Sequence, residues 1–111
     1  MDINRLFNID GKTALITGGS RGIGEMIAAG FLANGVKVYI TARKEAPLIE
    51  KAEELSEKFS GECIAIPCDL SNMEGIQKLA SDYLNHEDSL DILVNNAGAA
   101  WGEPYENFSE K

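Results

Sequence analysis

An α/β fold built on a doubly wound parallel sheet is predicted by three observations in this 111-residue chain. Four short apolar segments, at Lys12 to Thr17, Val36 to Arg43, Cys63 to Cys68 and Asp91 to Asn95, have the character of strands. They alternate with three stretches whose apolar residues recur at helical spacing. The first strand-to-helix junction is rich in glycine, Thr17-Gly18-Gly19-Ser20-Arg21-Gly22-Ile23-Gly24. Such alternation builds β-α-β units, and right-handed crossovers restrict their layout to a Rossmann-like sheet of expected order 3-2-1-4. Strands two and three extend one way from strand one while strand four returns to its other side, so a crevice opens between strands one and four.

Each element has its own signals. Strand one centres on Ala14-Leu15-Ile16. Helix one is expected from Gly22 to Asn34, with Met26, Ile27 and Phe31 on one face and Asn34-Gly35 as its stop. In strand two, Val36, Val38 and Ile40 alternate with Lys37, Tyr39 and Thr41. Pro47 suits the first position of helix two, whose apolar face is Leu48, Ala52, Leu55 and Phe59 and whose stop is Ser60-Gly61. Strand three carries Pro67 near its end, where a missing amide is tolerated at an edge or a terminus. Ser71 with Glu74 forms a capping-box signature for helix three, lined by Met73, Ile76, Ala80 and Tyr83. Ala97 to Lys111 is expected to be a loop, with a helix beginning near Phe108.

Bulk properties narrow the function classes. A chain of this length that is 44% hydrophobic fits one soluble domain with a core. The formal net charge of −8 argues against a general nucleic-acid surface, which needs a positive field, so any anion site is local. The start, Met1-Asp2-Ile3-Asn4-Arg5-Leu6-Phe7, has no basic stretch followed by an apolar block, and no later run approaches a membrane span. A cytoplasmic protein with no membrane partner is expected. Cys63 and Cys68 fall on opposite faces of one strand, their α-carbons roughly 16 Å apart at strand rise, too far for the 4 to 7 Å or so that a disulfide tolerates. They are expected to be buried free thiols, and nothing suggests a metal site.

The candidate site begins at the glycine turn. Backbone can approach a pyrophosphate only where side chains are absent, and the amides that open a helix are unpaired donors at the positive end of its dipole. Gly18, Ser20, Arg21, Gly22, Ile23 and Gly24 are therefore candidate dinucleotide-binding residues. There is no Gly-x4-Gly-Lys-Ser/Thr run, which leaves a nucleoside triphosphatase loop without support. An acid at the end of strand two would bond the free ribose hydroxyl and repel a phosphate. Here Ala42, Arg43 and Lys44 stand instead, with Arg21 in the glycine turn, so the cations are expected to converge on a 2′-phosphate and favour NADP over NAD.

Asp69 ends strand three, where its carboxylate can accept from an adenine amino group while the Leu70 amide donates to the ring; the competing role is to help start the next helix. In Asn95-Asn96-Ala97-Gly98, side-chain amides can tie neighbouring strands together, and Ala97 and Gly98 leave little bulk where a cofactor ribose would pass. Asn95, Ala97 and Gly98 join the binding set. His86 lies in a polar connection and is expected to be solvated. Trp101 and Tyr105 either touch substrate or pack over the crevice.

Together, Thr17-Gly18-x-x-x-Gly22-x-Gly24, the Asp69-Leu70 step and Asn95-Asn96-Ala97-Gly98 resemble the short-chain dehydrogenase/reductase family over nearly the whole chain. Arg21 and Arg43 match positions used by the family's NADP-preferring members, and the stretch Asn95 to Pro104 is similar to a bacterial β-ketoacyl reductase branch. The resemblance implies hydride transfer between the nicotinamide and a carbonyl or secondary alcohol, in a homo-oligomer. It also implies a Tyr-x-x-x-Lys pair, in which tyrosine donates the proton while lysine lowers its pKa and holds the nicotinamide ribose. Tyr39 is followed four later by Arg43, Tyr83 by Glu87 and Tyr105 by Ser109, so the pair is absent and no catalytic residue is assigned. Residues 1–111 are thus expected to be the dinucleotide-binding portion of a larger single domain, without its catalytic half and inactive alone. The alternative is a non-catalytic module that binds or senses NADP.

Overall fold

A computed structural model describes residues 8–96. Its elements run β1 (Thr13–Thr17), α1 (Gly22–Ala33), β2 (Lys37–Ala42), α2 (Glu45–Phe59), β3 (Cys63–Pro67), α3 (Met73–Leu84) and β4 (Ile92–Asn95). The four strands form one parallel sheet in the order β3-β2-β1-β4, as the alternation of elements predicts. The expected helix near Phe108, and Ala97, Gly98, Trp101 and Tyr105, lie outside the described residues.

The two faces of the sheet carry separate cores. Ala14, Ile16, Val38, Ile40 and Cys63 point to one side, where Ala28 and Leu32 of α1 and Leu48, Ala52 and Leu55 of α2 cover them. Leu15, Tyr39, Ile66 and Cys68 point to the other, beneath Leu79 and Tyr83 of α3. The register follows from the period of two, since Val38 pairs with Ala14 and Cys63 while Tyr39 pairs with Leu15 and Ile64. The two thiols are free and buried on opposite faces, as their spacing in the strand requires. Burial pushes Cys63 up to about 12 and raises Cys68, so neither is a ready thiolate.

Several local expectations are corrected. The helix-one face of Met26, Ile27 and Phe31 is rotated: Gly24, Ala28 and Leu32 are the buried residues, Ile27 and Phe31 flank them, and Met26 is 72% exposed. Gly24 is small because α1 closes there on the Gly18 carbonyl, where a Cβ has no room, while Ala28 and Leu32 fill the core further along. In α3, Leu79 and Tyr83 are buried while Met73, Ile76 and Ala80 are exposed. Helix two begins at Glu45, which puts Pro47 third instead of first; its missing N–H still costs nothing in the first turn. The cap of α3 is Asn72, whose side chain accepts from the Gly75 amide at 2.7 Å, and not Ser71.

The outer edge of β3 is guarded. The Ser56 hydroxyl accepts from the Cys63 amide at 2.9 Å and donates to the Cys63 carbonyl at 3.1 Å, and Pro67 has no amide to offer. At the other edge, Leu93 of β4 is 62% exposed.

A polar knot closes the end of the sheet where the strands start. Glu87 Oε2 lies 2.7 Å from Lys37 Nζ and accepts from Tyr39 Oη at 2.5 Å. Tyr83 Oη donates to the Ser89 carbonyl at 2.5 Å, and Asp91 Oδ2 accepts from the Thr13 amide at 2.9 Å. His86 is exposed, as predicted, with its ring centroid 5.9 Å from that of Tyr39. Lys37 and then Tyr39 hold the Glu87 carboxyl below its usual range, while burial, followed by Glu87, pushes Tyr39 up to about 12. A depressed carboxyl contributes stability above its unfolded pKa, about 4.3, and loses it as pH falls through the folded value. The raised Tyr39 and Lys37 contribute below their unfolded values, about 10, and lose it as pH rises past them. Glu87→Gln is therefore expected to cost about 1 kcal/mol at pH 7, with the gap narrowing below about pH 4. Urea unfolding of both proteins across that range measures it; a gap independent of pH would show that the charge is idle.

Candidate functional site

All four strands run parallel, so Thr17, Ala42, Pro67 and Asn95 end at one edge of the sheet. The glycine turn leaves β1 there. Gly18 has φ +73° and Gly22 φ +61°, the left-handed region that favours glycine. Gly18 is tied down by its amide, which donates to the Thr41 carbonyl at 2.9 Å. Arg21 stands at the N-cap of α1 with extended backbone and no side-chain cap, so the amides of the first turn keep their donors. A Cβ added at Gly22 would meet nothing within 4 Å, so the space beside this glycine is open. Ile23, in the same turn, is 67% exposed.

Two further glycines are fixed by packing. A Cβ on Gly24 would collide with the Gly18 carbonyl oxygen and approach Asn96 Nδ2 at 2.8 Å, so this glycine lets helix and turn close on each other. Gly19, which carried no assignment in the sequence, is buried on Ile40; its Cβ would run into that side chain. Glycine itself was the signal, but the residue beneath it is visible only in the fold.

Strand four meets this turn through a latch. Thr17 Oγ1 donates to Asn95 Oδ1 at 3.1 Å and accepts from the Asn96 amide at 2.8 Å, while Asn96 Nδ2 donates to the Gly18 carbonyl at 3.3 Å. The amides do tie neighbouring strands together, as their place after β4 predicts. Thr17 is the member whose role the sequence did not single out.

Arg21 and Arg43 are both exposed, and neither enters an ion pair among the described residues. Across the edge, the Asp69 carboxyl is held below its usual range, chiefly by the Ser71 hydroxyl and amide and in smaller part by the Arg43 charge. Leu70 packs half-buried against the core under α3. The arrangement presents backbone donors at β1, a guanidinium at β2 and an ionised acceptor at β3. Such a set can hold an elongated anion that also carries a hydrogen-bond donor.

Residues 12–111 match the family profile described as short chain dehydrogenase. The chain belongs to this family. A rhamnolipids biosynthesis 3-oxoacyl-[acyl-carrier-protein] reductase of Pseudomonas aeruginosa is 47% identical over 102 residues, 92% of this chain and 39% of the relative. The 11-beta-hydroxysteroid dehydrogenase-like 2 protein of Arabidopsis thaliana is 39% identical over 103 residues, 93% of this chain and 33% of the relative. Among solved structures, the Pseudomonas aeruginosa RhlG/NADP active-site complex is 48% identical with a TM-score of 0.79, over 84% of this chain and 37% of that one. The L-sorbose reductase from Gluconobacter frateurii, complexed with NADPH and L-sorbose, is 37% identical with a TM-score of 0.81, over 89% of this chain and 38% of that one. This short-chain dehydrogenase chain thus spans about two fifths of the length of the first of these relatives. Among its described residues, no helix is long and apolar enough to cross a membrane.

Proposed function

We propose that this chain is the NADP-binding portion of a short-chain reductase that moves hydride between the nicotinamide and a carbonyl or secondary alcohol. The observation that carries the proposal is the uncapped first turn of α1 behind two left-handed glycines, open beside Gly22, with Arg43 in place of an acid beyond β2. The NADP and NADPH named with the two solved relatives support the choice of cofactor.

The amides of Gly22, Ile23 and Gly24 would take the pyrophosphate, Gly18 and Ser20 would line its path, and Arg43 with Arg21 would fork the 2′-phosphate. Asp69 and the Leu70 amide would read the adenine, and Asn95, Ala97 and Gly98 would flank the ribose. The cofactor, when bound, supplies the hydride chemistry. The residues of this chain bind and orient it.

The working enzyme we propose is a homo-oligomer in a reducing cytoplasm, a setting that suits two buried free thiols. Its proton donor would come from a Tyr-x-x-x-Lys pair outside these 111 residues. The second reading is a non-catalytic module that binds or senses NADP, which the same backbone donors and Arg43 would serve. The 111-residue chain is expected to bind NADP yet to give no measurable NADPH oxidation with a panel of ketones. Light scattering on the same sample is expected to show association, because Leu93 leaves an apolar spot at the β4 edge. Robust turnover by a clean monomer would overturn both the assignment of roles and the need for further chain. Turnover by a longer gene product that carries the pair would decide against the sensing module.

A further inference from the structure

The connection from β3 to α3 holds Asp69 by two separate devices. Asp69 Oδ1 accepts from the Ser71 amide at 2.9 Å and from the Ser71 hydroxyl at 2.7 Å. The other carboxylate oxygen receives no hydrogen bond among the described residues. The helix does not use either residue as its cap, since Asn72 fills that place. The Ser71 hydroxyl is therefore engaged with Asp69 alone. The second device is Gly75. A Cβ there would overlap the Asp69 carbonyl oxygen, so only glycine lets the first turn of α3 close against the Asp69 backbone. Side chain and main chain of one carboxylate are both fixed, at the same edge of the sheet as Arg43, whose charge acts on it.

We propose that Ser71 is a positioning residue for base recognition: by occupying Asp69 Oδ1 it turns Oδ2 toward the exocyclic amino group of adenine, with Gly75 setting the backbone beneath. This rests on the NADP-binding proposal and adds a specificity determinant to it. An ionised carboxylate can only accept hydrogen bonds, and the two bonds from Ser71 keep it in that form. A fixed acceptor selects a base whose edge donates at that point. It disfavours hypoxanthine, which presents a carbonyl oxygen there, because two acceptors meet without a proton between them. Without the Ser71 hydroxyl, Asp69 Oδ1 would keep only the bond from the Ser71 amide, and the less firmly held carboxylate would show a weaker preference for the amino base.

The test is calorimetric titration of the chain with NADP and with the analogue in which hypoxanthine replaces adenine. Parent, Ser71→Ala, Ser71→Thr and Asp69→Asn are compared, with urea unfolding to show that each is folded. The parent is expected to prefer NADP, and Ser71→Ala to lose about tenfold of that preference through weaker NADP binding, its affinity for the analogue unchanged. Ser71→Thr keeps a hydroxyl and is expected to keep the preference. Asp69→Asn, which offers an amide donor, is expected to shift preference toward the analogue. An unchanged preference in Ser71→Ala, beside a parent that binds NADP and discriminates, overturns this inference alone. A parent that binds both ligands equally overturns the adenine role of Asp69 as well. Failure of the parent to bind NADP overturns the function proposal and this inference together.

Discussion

Gly18→Val is expected to abolish NADP binding, while Gly30→Ala leaves it intact and raises stability slightly. The two glycines lie in one chain segment but answer to different constraints. Gly18 sits at φ +73° with its amide bonded to the Thr41 carbonyl at 2.9 Å and its carbonyl accepting from Asn96 at 3.3 Å. A β-branched residue resists that conformation by roughly 1 to 2 kcal/mol or more, and the turn cannot relax without breaking its bonds to β2 and to the residue that follows β4. Its isopropyl group would also stand where the phosphates need backbone. Gly30 is exposed on helix α1, and a Cβ there meets nothing within 4 Å, so alanine gains roughly 0.5 to 1 kcal/mol of helix propensity. NADPH fluorescence titration, with urea unfolding alongside, reads both effects. A loss of more than about a hundredfold in affinity for Gly18→Val against none for Gly30→Ala is the expected contrast. Equal losses in two folded variants would refute the phosphate-binding turn.

Cofactor preference is expected to reverse when Ala42→Asp is combined with Arg43→Gln. Arg43 is an exposed guanidinium without an ion pair among the described residues, at the end of the strand beside β1. A phosphate would gain its charge-assisted bonds, and their removal together with the new like charge is worth about 3 kcal/mol, roughly a hundredfold in the ratio of NADP to NAD affinity. Ala42 packs partly against the core under α1 and α2, so the aspartate is also expected to lower stability by about 1 kcal/mol or more. Arg43→Gln alone separates the terms, because it weakens NADP without creating an acidic partner for the ribose. Titration of the parent and both variants with both cofactors decides the matter, and an unchanged ratio would remove Arg43 from the site.

Where the sequence misplaced details, the reason is physical. Met26, Met73 and Ile76 are apolar residues at helical spacing, and such a pattern does not record what lies opposite each of them. The structure turns them outward because the sheet admits Gly24, Ala28 and Leu32 on one side and is filled by Leu79 and Tyr83 on the other. Ser71 carried the better-known capping pattern, but its hydroxyl is already bonded to Asp69, and Asn72 takes the cap one residue later. Tyr39 alternates with Val38 and Ile40 in β2 and so faces the other side of the sheet. It is fully buried there with Leu79 and Tyr83 of α3, and Glu87, from a distant connection, satisfies its hydroxyl at 2.5 Å.

By itself the sequence determined the element order, the parallel sheet of order β3-β2-β1-β4, the opposite placement of Cys63 and Cys68, and the edge where β1 meets α1 through glycine. These follow from periodicity and backbone freedom, which are local and so are written in neighbouring residues. Only the tertiary structure decided what lies beneath Gly19, Gly24 and Gly75, which groups latch Thr17 to Asn95 and Asn96, and how Glu87 joins Lys37 and Tyr39. Most of these contacts join residues far apart in the chain, and whether a Cβ or a hydroxyl has room there depends on the neighbouring strand or turn, which no local pattern records.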